Sequence, residues 1–147
     1  MISVQTEDFS MADEYQRLVK DNSQDGAVVT FVGSVRDFNQ GNHVKGLMLE
    51  HYPGMTEKSL ADIVNQAKMR WPINNVRLIH RVGQIMLGEQ IVFVGVTSQH
   101  REAAFEATQF IMDFLKNKAP FWKKEMTSAG EKWVDFNEKD KSAVERW

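Results

Sequence analysis

The fold is decided by "EQIVFVGVTSQHREAAFEATQFIMDFLKNKAP", Glu89 to Pro120. Its first third is β-branched and aromatic without helical periodicity, so it reads as a strand that ends near Ser98. After it, Ala104, Ala107, Ile111 and Leu115 fall on one stripe of a helical wheel, while Glu102, Glu106, Asp113 and Asn117 fall toward water. A long helix follows, with Ser98 as its expected cap, and Pro120 ends it because proline has no N–H and clashes with the preceding turn. A strand feeding a long amphipathic helix requires a sheet for that helix to cover.

Working outward, "NVRLIHRVG" (75–83) reads as another strand across the turn-like "LGE", and "DGAVVTFVGSVR" (25–36) as a strand buried on both faces. "HVKGLMLEHY" (43–52) alternates well enough to pair antiparallel with 25–36 through the polar turn "DFNQGN" (37–42). Thr56 is placed to cap a helix whose stripe is Leu60, Ile63, Val64, Ala67 and Trp71, and Ser10 to cap a short one carrying Met11, Tyr15 and Leu18. In the tail, "TSAG" separates two aromatic-bearing stretches, which predicts a hairpin; the last ten residues are charged and read as a helix or a loose tail. The expected order is α, β, β, α, β, β, α, an α+β arrangement in a single domain of residues 1–147.

Eighteen Lys and Arg against twenty Asp and Glu give a formal net charge of −2, which argues against nucleic-acid binding through bulk positive charge. Cysteine is absent, which removes thiolate catalysis, disulfides and Cys-based zinc sites. His43, His51 and His80 lack the spacing of metal ligands, so no metal and no cofactor are expected, and the three read as solvated or hydrogen-bonded structural histidines. There is no signal-peptide pattern and no apolar run of membrane-span length, so the expectation is a cytoplasmic protein.

Positive charge is concentrated locally. In "FLKNKAPFWKKE" (114–125) four lysines surround an Ala-Pro-Phe-Trp turn. Lys116 lies on the helix flank shared with Phe105, Gln109 and Met112, where it either loses solvation and becomes reactive or snorkels over Met112. Beyond the proline the chain is extended, so Lys123 and Lys124 point to opposite sides and only one can join Lys116. At the other end of the helix, His100 and Arg101 in the first turn oppose the helix dipole, a cost of roughly 0.3–1 kcal/mol each when charged that a bound anion would offset. The alternative is a local pair between Arg101 and Glu102.

Together these segments resemble the large, catalytic subunit family of molybdopterin synthase, over most of the chain. The resemblance is carried by "DGAVVTFVGSVR", "LEHYPGMTEKSLADI", "RWPINNVRLIHRVG", "IVFVGVTSQHREAAFEATQFIMDFLK", "APFWKKE" and "KWV", and "EHYPGM" with "APFWK" is the most specific pair. It implies an α/β hammerhead fold with an additional small antiparallel β subdomain, and a dimer of this chain at the centre of a heterotetramer. The implied partner is a small ubiquitin-like sulfur carrier whose C-terminal Gly-Gly thiocarboxylate enters the large subunit. The implied reaction is sulfur transfer to cyclic pyranopterin monophosphate, forming the dithiolene of molybdopterin. The resemblance implies Lys116 and Lys123 as the essential lysines, with Arg36, His100 and Arg101 binding anionic groups and Lys124 and Glu125 lining the same segment. Ser34 stands where many relatives carry a lysine. The reading that competes with catalysis is an adaptor that only holds the partner's tail.

Overall fold

In the computed structural model of the protein, residues 1–37, 43–134 and 138–147 are described. Two four-stranded sheets organise the fold. The first contains β1 (Ile2–Gln5), β4 (Ile73–Arg81), β6 (Gln90–Ser98) and β2 (Ala27–Ser34) in the spatial order β1-β4-β6-β2. β1 runs parallel to β4, and the other neighbours are antiparallel. The second sheet is antiparallel throughout, in the order β5-β3-β7-β8, with β3 (Val44–His51), β5 (Gly83–Met86), β7 (Phe121–Thr127) and β8 (Gly130–Val134). It is the additional antiparallel β subdomain that the family resemblance implies.

Helix α1 (Met11–Val19) covers one face of the first sheet, and α2 (Met55–Arg70) and α3 (Arg101–Lys118) cover the other. β6 is the strand buried on both faces. Its Val92, Val94 and Val96 pack with Leu60, Ala67, Phe110 and Ile111 of the paired helices, while Phe93 packs with Leu18 of α1. The period-2 alternation of a strand thus feeds two cores from one sequence run. Gly95 lies on the α1 side, where a Cβ would stand 2.3 Å from the buried Leu18 Cδ1, so only glycine lets α1 approach this closely.

Several expectations are corrected. β2 and β3 do not form a hairpin; β2 pairs with β6 in the first sheet and β3 with β5 and β7 in the second. Nor is β2 buried on both faces. It is an edge strand, half-buried along most of its length, with Phe31 exposed. Most of the intervening "DFNQGN" lies outside the described residues. The expected order lacks β1 and β5, because four residues give no readable period; Gly83 (φ 84°) and Gly88 (φ 85°) turn the chain out of one sheet and back.

The helix caps differ as well. Ser98 closes β6 and donates to the Pro72 carbonyl at 2.9 Å, so α3 starts later, with His100 as N-cap. Thr56 is buried inside α2; its hydroxyl donates to Tyr52 O and accepts from Tyr52 N, while Gly54 is the N-cap and its N–H donates to Glu57. Ser10 does cap α1, accepting from Asp13 N. On that helix, however, Met11 and Tyr15 are exposed, and Glu14 is buried with Leu18, paired to Arg17 and to Arg77 of β4.

Asp113 does not face water. It is buried and accepts from Gln109 and from the indole of Trp147, with Arg146 at 3.3 Å. The tail that brings those partners is α4 (Glu138–Ala143) and a short 3-10 turn, Val144–Arg146. Trp147 then packs edge-on against Trp71 and Phe110. The expected hairpin is present as β7 and β8, with Thr127 opposite Gly130.

Candidate active site

The helix α3 delivers Lys116 in its last turn, Ala119 caps the helix in an extended conformation, and Pro120 starts the run into β7. β7 then lies antiparallel to β3 in a register that sets Phe121 opposite His51 and Trp122 opposite Glu50. "EHYPGM" and "APFW", distant in sequence, are therefore neighbours across a β-ladder.

Because side chains alternate along β7, Phe121, Lys123 and Glu125 share one face and Trp122 and Lys124 the other. Lys123 is the lysine that joins Lys116. Burial pushes its ammonium below the ordinary lysine range and the Lys116 charge acts in the same direction. Asp140 and Glu125 oppose this, and Arg36 adds to it. Loss of solvation thus falls on Lys123, whereas Lys116 is exposed, against the first of the two readings open for that lysine. Lys124 is held on the far face by Glu131 at 3.3 Å and by the Trp133 ring, with Nζ 4.6 Å from its centroid. That makes Lys124 part of the β7–β8 hairpin rather than of the lysine pocket.

Beneath the lysines lies His80, which sequence reasoning left as an unremarkable structural histidine. Val76, Leu78 and His80 share the face of β4 turned toward α2 and α3, and this alternation is the signal that could have placed it. The ring is buried, stacks on Phe121 with centroids 3.9 Å apart, and its Nδ1 lies 2.8 Å from the Arg81 carbonyl. Burial pushes its pKa down to about 4; the bond to Arg81 opposes the shift, and the charges of Lys116, His51 and Lys123 assist it. His51 Nδ1 is buried and makes no hydrogen bond among the described residues, with Glu57 Oε1 3.9 Å away.

The anion-binding candidates are not all in this place. Arg36 follows β2 closely enough for its charge to act on Lys123. Ser34 ends β2 opposite Gln90 and is exposed. His100 and Arg101 instead line an open hollow of about 470 Å³ with Gly26, Ala27, Gln99 and Glu102. Arg101 makes no ion pair among the described residues, so the local pair with Glu102 is not formed. From Arg101 to Lys116 the helix rises about 1.5 Å per residue, so the two groups are roughly 22 Å apart along α3. One chain presents two cationic places and not one.

A two-sheet α+β protein with an exposed and a partly dehydrated lysine at one end of its long helix and a His-Arg hollow at the other belongs to a class whose fixed cations can hold anionic groups. Comparison with known proteins narrows this class. The family profile of the MoaE protein matches residues 4–118. The molybdopterin synthase catalytic subunit of Vibrio cholerae is 59% identical over 146 residues, covering 99% of this chain and 97% of its own length. The Escherichia coli K12 protein of the same name is 56% identical over the same span. Among solved structures, the MoaE protein of Burkholderia ambifaria superposes with a TM-score of 0.85 at 46% identity, covering 100% of this chain and 97% of that one. Molybdopterin synthase from Staphylococcus aureus superposes with a TM-score of 0.84 at 31% identity over 90% of this chain and 95% of that one. The chain belongs to the family of molybdopterin synthase catalytic subunits.

Proposed function

We propose that this chain transfers sulfur from the C-terminal thiocarboxylate of a small ubiquitin-like subunit to cyclic pyranopterin monophosphate. The product is the dithiolene of molybdopterin, and the setting is cytoplasmic. The observation that carries the reading is the convergence of Lys116 and Lys123 over the buried His80–Phe121 stack, on a chain that has no cysteine of its own. Sulfur must then arrive on a partner, and relatives named as catalytic subunits are by that name parts of larger assemblies.

In this reading Lys116 and Lys123 receive the thiocarboxylate end, where the burial that lowers the proton affinity of Lys123 favours an uncharged amine able to act as a base or nucleophile. Glu125 and Arg36 border the same face and set the local charge. His100 and Arg101 bind the phosphate of the pterin through the guanidinium and the uncapped N–H groups at the start of α3. Their distance from the lysines gives the dimer a chemical role. A second copy brings its own α3 N-terminus to the lysine end of the first. The exposed Phe31 on the edge strand and the exposed Phe105 on α3 supply apolar surface for that contact.

The test is reconstitution from purified thiocarboxylated small subunit and cyclic pyranopterin monophosphate, with molybdopterin read as its oxidised fluorescent derivative. Product supports the enzyme. Tight binding of the small subunit with no product from verified components would make this chain an adaptor.

A further inference from the structure

His80 contributes no charge to the lysine pocket and plays no part in the chemistry above, yet it is the most buried titratable group near it. A buried imidazole with Nδ1 2.8 Å from a carbonyl must carry its proton on that nitrogen, because two lone pairs would repel. The neutral ring is then fixed twice, by the Arg81 carbonyl along its edge and by Phe121 across its face. Phe121 is two residues from Lys123 on the same side of β7, and it is opposite His51 in the ladder with β3.

We propose that His80 is a positioning residue for the lysine pair: its ring, anchored to the Arg81 carbonyl and stacked on Phe121, fixes the inner face of β7 and holds Lys123 against an uncharged wall. The proposal rests on the reading of Lys116 and Lys123 as the reactive end of the site. The charged and titratable groups around Lys123 are Lys116 from α3, Asp140 from α4, Glu125 from β7 itself and Arg36 after β2. Around His80 they are Lys116, Lys123 and His51 of β3. Burial is the largest influence on Lys123, ahead of the opposed charges of Lys116, Asp140, Glu125 and Arg36, so the dry wall pushes its proton affinity downward. Replacing the ring by a group that admits water removes that bias. Each unit by which the Lys123 pKa then rises lowers its uncharged fraction about tenfold at neutral pH.

The experiment reads lysine ionisation directly, by NMR titration of the ε-methylene signals in protein labelled with 13C-lysine, with no substrate present. In the unaltered protein Lys123 should titrate below exposed lysines such as Lys118. His80→Asn keeps a donor for the Arg81 carbonyl but loses the ring, and Phe121→Leu keeps His80 but loses the stack. Both should move the Lys123 titration up by roughly one pH unit and lower kcat about tenfold at neutral pH, with KM for the pterin changed less than about twofold. The acid limb of the pH–rate profile should move by the same amount. His80→Phe keeps a ring for Phe121 and should leave the Lys123 titration low, although it melts earlier. The proposal is overturned if Lys123 titrates with Lys118 in the unaltered protein, a result that needs no folded variant. It is equally overturned if folded His80→Asn and Phe121→Leu leave both the titration and the pH–rate profile unmoved. A responsive titration in a protein that makes no molybdopterin would support the positioning role while removing the proposed reaction.

Discussion

Acidification should destabilise this protein through His80, by an amount its surroundings fix. The ring is 4% exposed and its pKa is pushed down to about 4 from the ordinary 6.5. Between those values the unfolded chain binds a proton that the folded chain refuses, so stability rises with pH across the window and is lost on going from pH 6.5 toward 4. At about 1.4 kcal/mol per unit, that interval corresponds to roughly 3 kcal/mol, a large fraction of the stability of a small domain. The assay is urea unfolding at a series of pH values between 7 and 4.5, on the unaltered protein and on His80→Phe, which has no proton to take up. Asp8 and Asp25, whose pKa values are lowered chiefly by hydrogen bonds acting against burial, lose stability only near and below the carboxylate range and do so in both proteins. The difference between the two slopes therefore isolates His80. Superimposable slopes between pH 6.5 and 4.5 would refute the claim that the ring is held neutral.

Gly95→Ala should cost about 1–3 kcal/mol in urea unfolding, because the new Cβ would meet Leu18 at 2.3 Å in a layer with no slack. Trp147→Ala should cost about 2 kcal/mol or more in the same assay, since it removes packing against Trp71 and Phe110 and leaves buried Asp113 short of a donor. Arg101→Ala should weaken pterin phosphate binding about tenfold by calorimetry while the melting temperature holds or rises slightly, because one cation leaves the positive end of α3. If the site is shared between two copies, mixing Lys116→Ala and Arg101→Ala chains through a dissociation step should restore activity that neither has alone. No restoration, with mixed dimers shown to form, would confine the site to one chain.

The two long helices are legible because their periods hold over sixteen or more residues, as in the Ala104, Ala107, Ile111, Leu115 stripe that is indeed buried, and the longer strands because their runs are rich in β-branched residues. What sequence could not supply was the assignment of strands to two sheets. β2 and β3 are adjacent in the chain and both read as strands, but pairing is decided by which faces need covering, and β2 is drawn to β6 while β3 is drawn to β7. Lys123 and Lys124 show the limit at the candidate site. Alternation says that they diverge, and only the placement of β8 and α3 says which one meets Lys116. Alternation with Val76 and Leu78 places His80 on the inner face of β4, but its role comes from Phe121, forty-one residues later, which no local pattern announces. Caps were misjudged where a hydroxyl had a tertiary use, Ser98 with Pro72 and Thr56 with Tyr52.

The central claim is that Lys116 and Lys123 perform chemistry that charge alone does not. The direct measurement is single-turnover molybdopterin formation by Lys116→Ala, Lys116→Arg, Lys123→Ala and Lys118→Ala proteins, each with its affinity for the small subunit determined in parallel. Near-complete loss is expected for Lys116→Ala and for Lys116→Arg, because a guanidinium keeps the charge but neither deprotonates nor fits a lysine's place. Lys123→Ala should show a similar or somewhat smaller loss and Lys118→Ala little change, with small-subunit binding retained throughout. Near-normal turnover by Lys116→Arg would contradict the chemical role and leave an electrostatic one, and near-normal turnover by Lys116→Ala would remove this lysine from the mechanism.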